Sequence, residues 1–246
     1  MCYRYSIHSD TMVIESRFDA TFQDKFEKKY HTGAFDQTKL PVITNELPKQ
    51  IQLYNWGLVP FWIKTSNQAD EIKQRTVNAR AETIYEKPAY RNSAENKHCL
   101  VIADGFFEWR YFQGRNYPYY IRLKSHEPFA IAGLWDCWKN NETNEKLYSY
   151  TIITCPANPL MAKIHNKKKR MPVILTKEME RYWINNSLTK DQAEKILIPF
   201  EQDKMEAYTI SRLITSKNQN PNVPEVINQY KYPELKESNY PQKSLF

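Results

Sequence analysis

The second residue of this chain is a cysteine, and there it has chemistry that Cys99, Cys137 and Cys155 cannot share. An initiator methionine is removed when the next residue is small, and Cys qualifies, so loss of Met1 leaves Cys2 with an α-amine and a thiol on adjacent carbons. Unperturbed, the amine titrates near ~8 and the thiol near ~8.5, so a useful fraction of each is expected to be nucleophilic at neutral pH. A 1,2-aminothiol reacts with aldehydes: the amine condenses to an imine, the sulfur closes on the imine carbon, and a five-membered thiazolidine results. Glu108 lies between aromatics in Phe106-Phe107-Glu108-Trp109. A carboxyl in such a pocket has a raised pKa and can shuttle protons near neutrality, as the carbinolamine and ring-closing steps require.

Four further segments are ordered along the chain: Trp56-Gly57-Leu58-Val59-Pro60-Phe61-Trp62, Asn78-Ala79-Arg80-Ala81-Glu82-Thr83, Ala103-Asp104-Gly105-Phe106-Phe107-Glu108-Trp109, and Arg170-Met171-Pro172-Val173-Ile174-Leu175, the last preceded by Ile164-His165. With Met1-Cys2 and Arg4 they resemble the SRAP family (SOS-response-associated peptidase), the abasic-site processing proteins, from Cys2 to about Ile210. The resemblance implies a protein that senses abasic sites in single-stranded DNA and forms a covalent crosslink through Cys2, shielding the lesion. It also implies a lyase-like activity, crosslink reversal and autoproteolytic removal of Met1. It places Cys2, Asn78, Glu108 and His165 in the active site. An amide at 78 can hold a sugar hydroxyl or orient the Cys2 amine, although Asn78 also reads as a helix N-cap. The imidazole of His165 exchanges its proton at physiological pH, which suits sugar ring opening and reversal.

For the DNA, the resemblance assigns Arg4, Arg80, Arg91 and Arg170 to phosphate contacts, where the planar guanidinium fork fits phosphate oxygens. Trp109 is the tryptophan expected to line the site and stack on a flanking base. Two departures stand out. Tyr3 occupies a position where Gly is usual, and four residues, Asn166, Lys167, Lys168 and Lys169, separate His165 from Arg170 where one is common. The basic run Lys167–Arg170 reads either as a solvated loop or as part of the DNA surface.

These groups need a scaffold, and the composition allows one. The 246 residues are 41% hydrophobic, with 17 Tyr, 11 Phe and 6 Trp, enough for a core and too much for wholesale disorder. No apolar run is long enough to span a bilayer, and the first residues lack a secretory signal. With no C-x-x-C pair, a structural zinc or disulfide framework is not expected, and the three internal cysteines read as buried thiols. The balance of 35 Lys and Arg against 28 Asp and Glu, a net +7, favours a polyanionic partner.

Runs rich in Ile, Val, Tyr, Phe and Trp predict strands over 2–7, 40–44, 51–58, 98–103, 106–112, 117–123, 129–135, 147–154, 172–175 and 207–210. Phe18, Phe22 and Phe26 suggest an amphipathic helix after Ser16, and Asn78 would cap another through Tyr85 before Pro88. Short helices are expected over 159–164, after Thr176 and after Thr189, where Thr189-x-x-Gln192 forms a capping box. The pattern points to an α+β fold: one SRAP-like domain, residues 2–214, around a largely antiparallel, barrel-like β-sheet with peripheral helices. Residues 215–246 would form a C-terminal wrap or a partly disordered tail. The expected protein is a soluble cytoplasmic monomer, nucleoid-associated when bound to DNA, with no cofactor, metal or membrane partner. Two other functions fit the same residues: a non-catalytic single-strand binding module, and a cysteine peptidase with Cys2 as nucleophile.

Overall fold

The structure is a computed structural model and describes residues 2–235. In chain order its elements are β1 (Arg4–Ile7), α1 (Thr11–Phe18), β2 (Thr21–Phe22), β3 (Lys29–Gly33), β4 (Lys39–Thr44), β5 (Gln50–Trp56), α2 (Ser66–Arg75), β6 (Asn78–Arg80), α3 (Arg91–Asn96), β7 (His98–Ala103), β8 (Gly105–Phe112), β9 (Arg115–Leu123), β10 (Phe129–Lys139), β11 (Lys146–Pro156), α4 (Pro159–Ile164), β12 (Arg170–Pro172), α5 (Lys177–Trp183), α6 (Lys190–Ile196) and β13 (Met205–Thr209), joined in places by short 3-10 turns.

The strands form two sheets. In one, the order β13-β9-β8-β1-β3 is antiparallel throughout. In the other, β11-β10-β7-β4-β5 run antiparallel, and a parallel pairing of β5 with β11 (Asn55 with Ser149, Trp56 with Tyr150) closes the path into a ring. Closure removes the unpaired edges that an open sheet would present. β12 and β6 both extend β11, β6 in parallel with Asn78 opposite Ile152. The α+β architecture with a barrel-like, largely antiparallel sheet is therefore the one the sequence suggested. Most of the buried apolar side chains form one cluster between the layers, from Tyr5 and Ile7 to Trp183 and Met205. Among the described residues no helix is long and apolar enough to cross a membrane.

Two expected helices are different. The phenylalanine spacing does not make a helix through 26: α1 ends at Asp19, which adopts the left-handed conformation (φ 50°) and returns its N–H to the Glu15 carbonyl. Asp tolerates that geometry without a full Cβ penalty, and it reverses the chain. Phe22 then enters β2, with its N–H held by the Glu15 carboxylate at 2.8 Å, and stacks on Phe26. Asn78 caps no helix either; it begins β6, and only a 3-10 turn, Ala81–Thr83, follows. Ladder bonds to β11 outcompeted the local capping preference. The sequence pattern did not reveal β3, α2 or α3. α2 buries only Ala69, so it carries almost no apolar period to detect. Cys99 and Cys155 are buried as expected, whereas Cys137 is half-buried.

Residues beyond the turn at Arg212–Thr215 lie against the five-stranded sheet as far as Leu235. Val226 is buried with Phe107, Tyr120, Ile210 and Ile214, and Asn222 accepts the Tyr30 N–H at 2.8 Å. The part of the expected tail from 236 onward lies outside the described residues.

The element that matters most for chemistry is β1, which is inserted between β3 and β8. Its far end is locked by Asp104, whose buried carboxylate accepts the main-chain N–H groups of His8 and Ser9 and the Ser9 hydroxyl. At the crossing with β8, Ser6 faces Gly105, and the Ser6 hydroxyl pairs with Tyr120 Oη at 2.8 Å. A Cβ on Gly105 would overlap the Tyr120 ring and hydroxyl. Gly105→Ala is expected to destabilise the fold by about 1–3 kcal/mol through overpacking, read as a lower urea midpoint with an unchanged slope.

Candidate active site

The antiparallel register of β1 and β8 sets Tyr5 opposite Phe106 and Ser6 opposite Gly105, so residues 2–3 run alongside Glu108 and Trp109. Cys2 is fully buried. Its carbonyl accepts a hydrogen bond from Asn78 Nδ2 at 2.8 Å, and its Sγ donates weakly to the Arg4 carbonyl at 3.5 Å. Burial pushes the Cys2 thiol up to about 12, and the negative charge of Glu108 adds to the shift. The expectation of a partly ionised thiol at neutral pH is thereby corrected. In this pocket the sulfur is held as S–H, because a thiolate would be both desolvated and next to a carboxylate.

Asn78 sits at the start of β6, buried, with its own carbonyl accepting the Tyr90 hydroxyl at 3.1 Å. Its side-chain Oδ1 is buried without a hydrogen-bond partner among the described residues. A buried acceptor left unpaired costs free energy, and such atoms commonly mark where a ligand group is to bind.

Glu108 is 5% exposed, and burial pushes its carboxyl up to about 7. His165 closes the C-terminal end of α4, where Asn158 caps the N-terminus and Pro159 takes the first turn. Its Nδ1 lies 2.8 Å from the Arg170 carbonyl and 3.7 Å from Glu108 Oε1. A carbonyl only accepts, so Nδ1 carries the proton and Nε2 is the basic nitrogen. Burial also lowers the His165 pKa, which keeps the ring neutral at pH 7. The fold therefore gathers Cys2, Asn78, Glu108 and His165 from the segment before β1, from β6, from β8 and from the end of α4.

Arg4 and Trp109 meet at the edge of this cluster, the guanidinium lying 5.4 Å over the indole ring while Nη1 donates to the Ile214 carbonyl at 2.8 Å. Both line an open groove of about 1100 Å³ together with Tyr3, His31 and Arg115. Tyr3, the departure beside Cys2, stacks on Phe35, whose ring is 60% exposed at the rim. Among the described residues no group of three or more His, Cys, Asp or Glu side chains is placed to hold a metal ion.

A family model described as SOS response associated peptidase (SRAP) matches residues 1–217. The chain belongs to the SRAP family. It is 39% identical over 233 residues to "Abasic site processing protein YoqW" of Bacillus subtilis, a match covering 92% of this chain and 99% of that one. It is 30% identical over 251 residues to "Abasic site processing protein HMCES" of Xenopus tropicalis, covering 88% and 72%. A crystal structure of a protein from Bacteroides thetaiotaomicron superposes with a TM-score of 0.88 at 35% identity, covering 94% of this chain and all of that one.

The remaining arginines of this SRAP domain are placed unequally. Arg80 is exposed on β6, two residues from Asn78, and Arg91 is exposed at the start of α3, next to Tyr90. Arg170 is engaged: Nη1 and Nη2 bind the Glu82 carboxylate at 2.7 and 2.9 Å, and Nη2 also donates to the Thr154 carbonyl at 2.6 Å. This fork ties β12 to the turn after β6 and so holds the frame around His165 and Asn78.

Three supporting residues were not anticipated from the sequence. Glu82 lies inside the Asn78–Thr83 segment, and that place is the signal that could have drawn attention to it. Tyr90 and Thr154, which bind the Asn78 and Ala79 carbonyls, were not, because nothing in their spacing separates them from other tyrosines and threonines.

The shift at Glu108 has a consequence for stability. Its carboxyl holds its proton more tightly when folded, so its contribution is fully present below about pH 4.5 and is lost as the pH rises through about 7. The difference is on the order of 3 kcal/mol. Glu108→Gln, which cannot ionise, should gain Tm relative to the parent, with the gain larger at pH 8 than at pH 5 in thermal scans.

Proposed function

We propose that this SRAP domain processes abasic sites in single-stranded DNA by covalent capture, with Cys2 as the capturing group. The observation that carries the reading is the placement of Cys2 at a buried site, tethered by Asn78 and beside a carboxyl and an imidazole that both sit near their neutral forms. The names of its relatives support the lesion; the groove carrying Arg4, Arg115 and Trp109 supports a nucleic-acid strand beside it. An abasic nucleotide lacks the stacking of a base, so drawing it into the pocket costs little compared with extruding an intact one.

Loss of Met1, by the domain itself or by an aminopeptidase, exposes the Cys2 amine. His165 Nε2 accepts the C1′ hydroxyl proton, C1′=O forms as the C1′–O4′ bond breaks, and the proton passes from the imidazolium to the released O4′, leaving the aldehyde. The amine adds to C1′. Glu108 in its ionised form takes a proton from the nitrogen and in its protonated form returns one to the departing oxygen, so water leaves and an imine remains. The sulfur then adds to the imine carbon while its proton passes to the Glu108 carboxylate. Glu108 passes that proton on to the nitrogen, so C–S and N–H bonds form as S–H and the C=N π bond break, giving the thiazolidine. A thiol shifted to about 12 suits this last step, because it remains protonated until the electrophile is in place. The Asn78 Nδ2 bond fixes the Cys2 carbonyl, and its unpaired Oδ1 receives the amine or a sugar hydroxyl.

The same imine accounts for lyase-like behaviour. It acidifies C2′ and so permits elimination of the 3′ phosphate; ring closure by the sulfur removes the imine and protects the strand. Reversal runs the steps backwards with water returning to C1′. Action on chromosomal DNA would place the protein in the cytoplasm, at the nucleoid when bound.

Protein lacking Met1 should form a heat-stable adduct with a single-stranded oligonucleotide bearing one abasic site. Cys2→Ala and α-amine acetylation should each abolish it, as read by denaturing electrophoresis and intact mass. Equal crosslinking by Cys2→Ala would overturn the reading, as would equal affinity for intact and abasic strands. The single-turnover rate should change through about pH 7 as Glu108 ionises. Glu108→Gln should lower that rate by roughly 10²-fold and flatten the profile.

A further inference from the structure

The segment between α4 and β12 carries three consecutive exposed lysines, Lys167, Lys168 and Lys169, immediately before Arg170. Such a run is ordinarily a solvated loop whose charges spread apart. Here the turn is held. Asn166 binds the main chain of Tyr111 on both sides, accepting its N–H at 3.1 Å and donating to its carbonyl at 2.7 Å, as a neighbouring strand would. Lys168 and Lys169 both donate their main-chain N–H to the His165 carbonyl, at 3.2 and 2.7 Å, and Lys169 takes a φ of 49°. Lys167 Nζ lies 3.6 Å from the centre of the Tyr111 ring.

These contacts tie the turn to the chemistry on two sides. Tyr111 is three residues beyond Glu108 on β8, and the turn begins at His165. The Lys168 charge reaches both groups: it opposes the burial that raises Glu108 and adds to the burial that lowers His165. Among the described residues none of the three lysines makes an ion pair with a carboxylate, whereas Arg170 is occupied by Glu82 and Thr154. Three exposed lysines carried on one main chain held in place, the first with its ammonium over Tyr111 and none ion-paired to a carboxylate among the described residues, make a site for an anion.

We propose that the Asn166–Lys169 turn is a phosphate clasp, gripping a backbone phosphate next to the captured sugar in place of Arg170. The proposal rests on the abasic-capture reading and names the part of the substrate this turn holds. The four-residue spacing between His165 and Arg170 then has a physical purpose. It moves positive charge off an arginine committed to the frame and onto a turn beside the pocket.

The test uses single-stranded oligonucleotides with one abasic site and a neutral methylphosphonate linkage immediately 5′ or 3′ of it. The wild-type crosslinking rate at subsaturating protein should fall about tenfold at one of the two linkages, the scale of one charged hydrogen bond. The variant K167Q/K168Q/K169Q should start about tenfold slower on the native strand and be indifferent to that linkage. Asn166→Ala, which keeps the charges but releases the turn, should reproduce part of the loss. A Gln variant with wild-type rates, or with the full methylphosphonate penalty, overturns the clasp. Anisotropy titrations on a Cys2→Ala background make the same comparison without a covalent step. There the clasp predicts a shallower dependence of log affinity on log salt for the Gln variant, by about 0.7 for each phosphate it no longer grips. Failure of capture with the salt effect intact would thus be distinguishable from failure of the clasp.

Discussion

Residue 2 of a chain is ordinarily among its freest, and here it is among its least free. That constraint comes from β1, a four-residue strand laid between β3 and β8 rather than at a sheet edge. Two neighbours hold its main chain, Asp104 locks one end, and the Asn78 side chain takes the carbonyl of Cys2 at the other. Each fixed residue carries an entropic cost of about 1–2 kcal/mol, which sheet pairing and burial of Tyr5 and Ile7 offset. Under the proposed function, pre-positioning Cys2 in this way converts an encounter in solution into a reaction within one pocket.

Desolvation is the second organising effect, and it acts on three groups in the same sense. It raises the Cys2 thiol, raises the Glu108 carboxyl and lowers the His165 imidazole, moving each toward its neutral form. A pocket of neutral donors and acceptors exchanges protons cheaply, and it does not repel a polyanion. Charge is kept at the periphery instead, on Arg4 over Trp109, on exposed Arg80 and on the lysine turn. Chemistry and electrostatic attraction are thus separated by a few residues along the same strands. The buried carboxyl is also a standing destabilisation, tolerated because β8 is the central strand of its sheet, paired on both sides.

Arg170 shows that one residue type can serve more than one kind of oxygen pair. A guanidinium in a motif suggests phosphate, and its planar fork does find an oxygen pair, but the pair is the Glu82 carboxylate. The arginine acts as a brace between β12 and the turn after β6. Rigid placement of His165, whose Nδ1 proton is aimed at the carbonyl of that same arginine, follows from the brace.

Much of this was legible in the amino-acid order. Alternating aromatic and β-branched runs located the strands from His98 to Thr154, because side-chain period and turn residues are local properties. The chemistry of an aminothiol at Cys2 and of a carboxyl among Phe106, Phe107 and Trp109 was legible for the same reason. The tertiary structure alone decided that Asn78 serves Cys2 instead of a helix. It also decided that the Cys2 thiol is protonated, that Arg170 is occupied, and that Asn166 clips a lysine turn onto Tyr111. Each of those outcomes depends on a partner dozens of residues distant, or on water excluded by such partners, and neither can be read from a residue's neighbours in the chain.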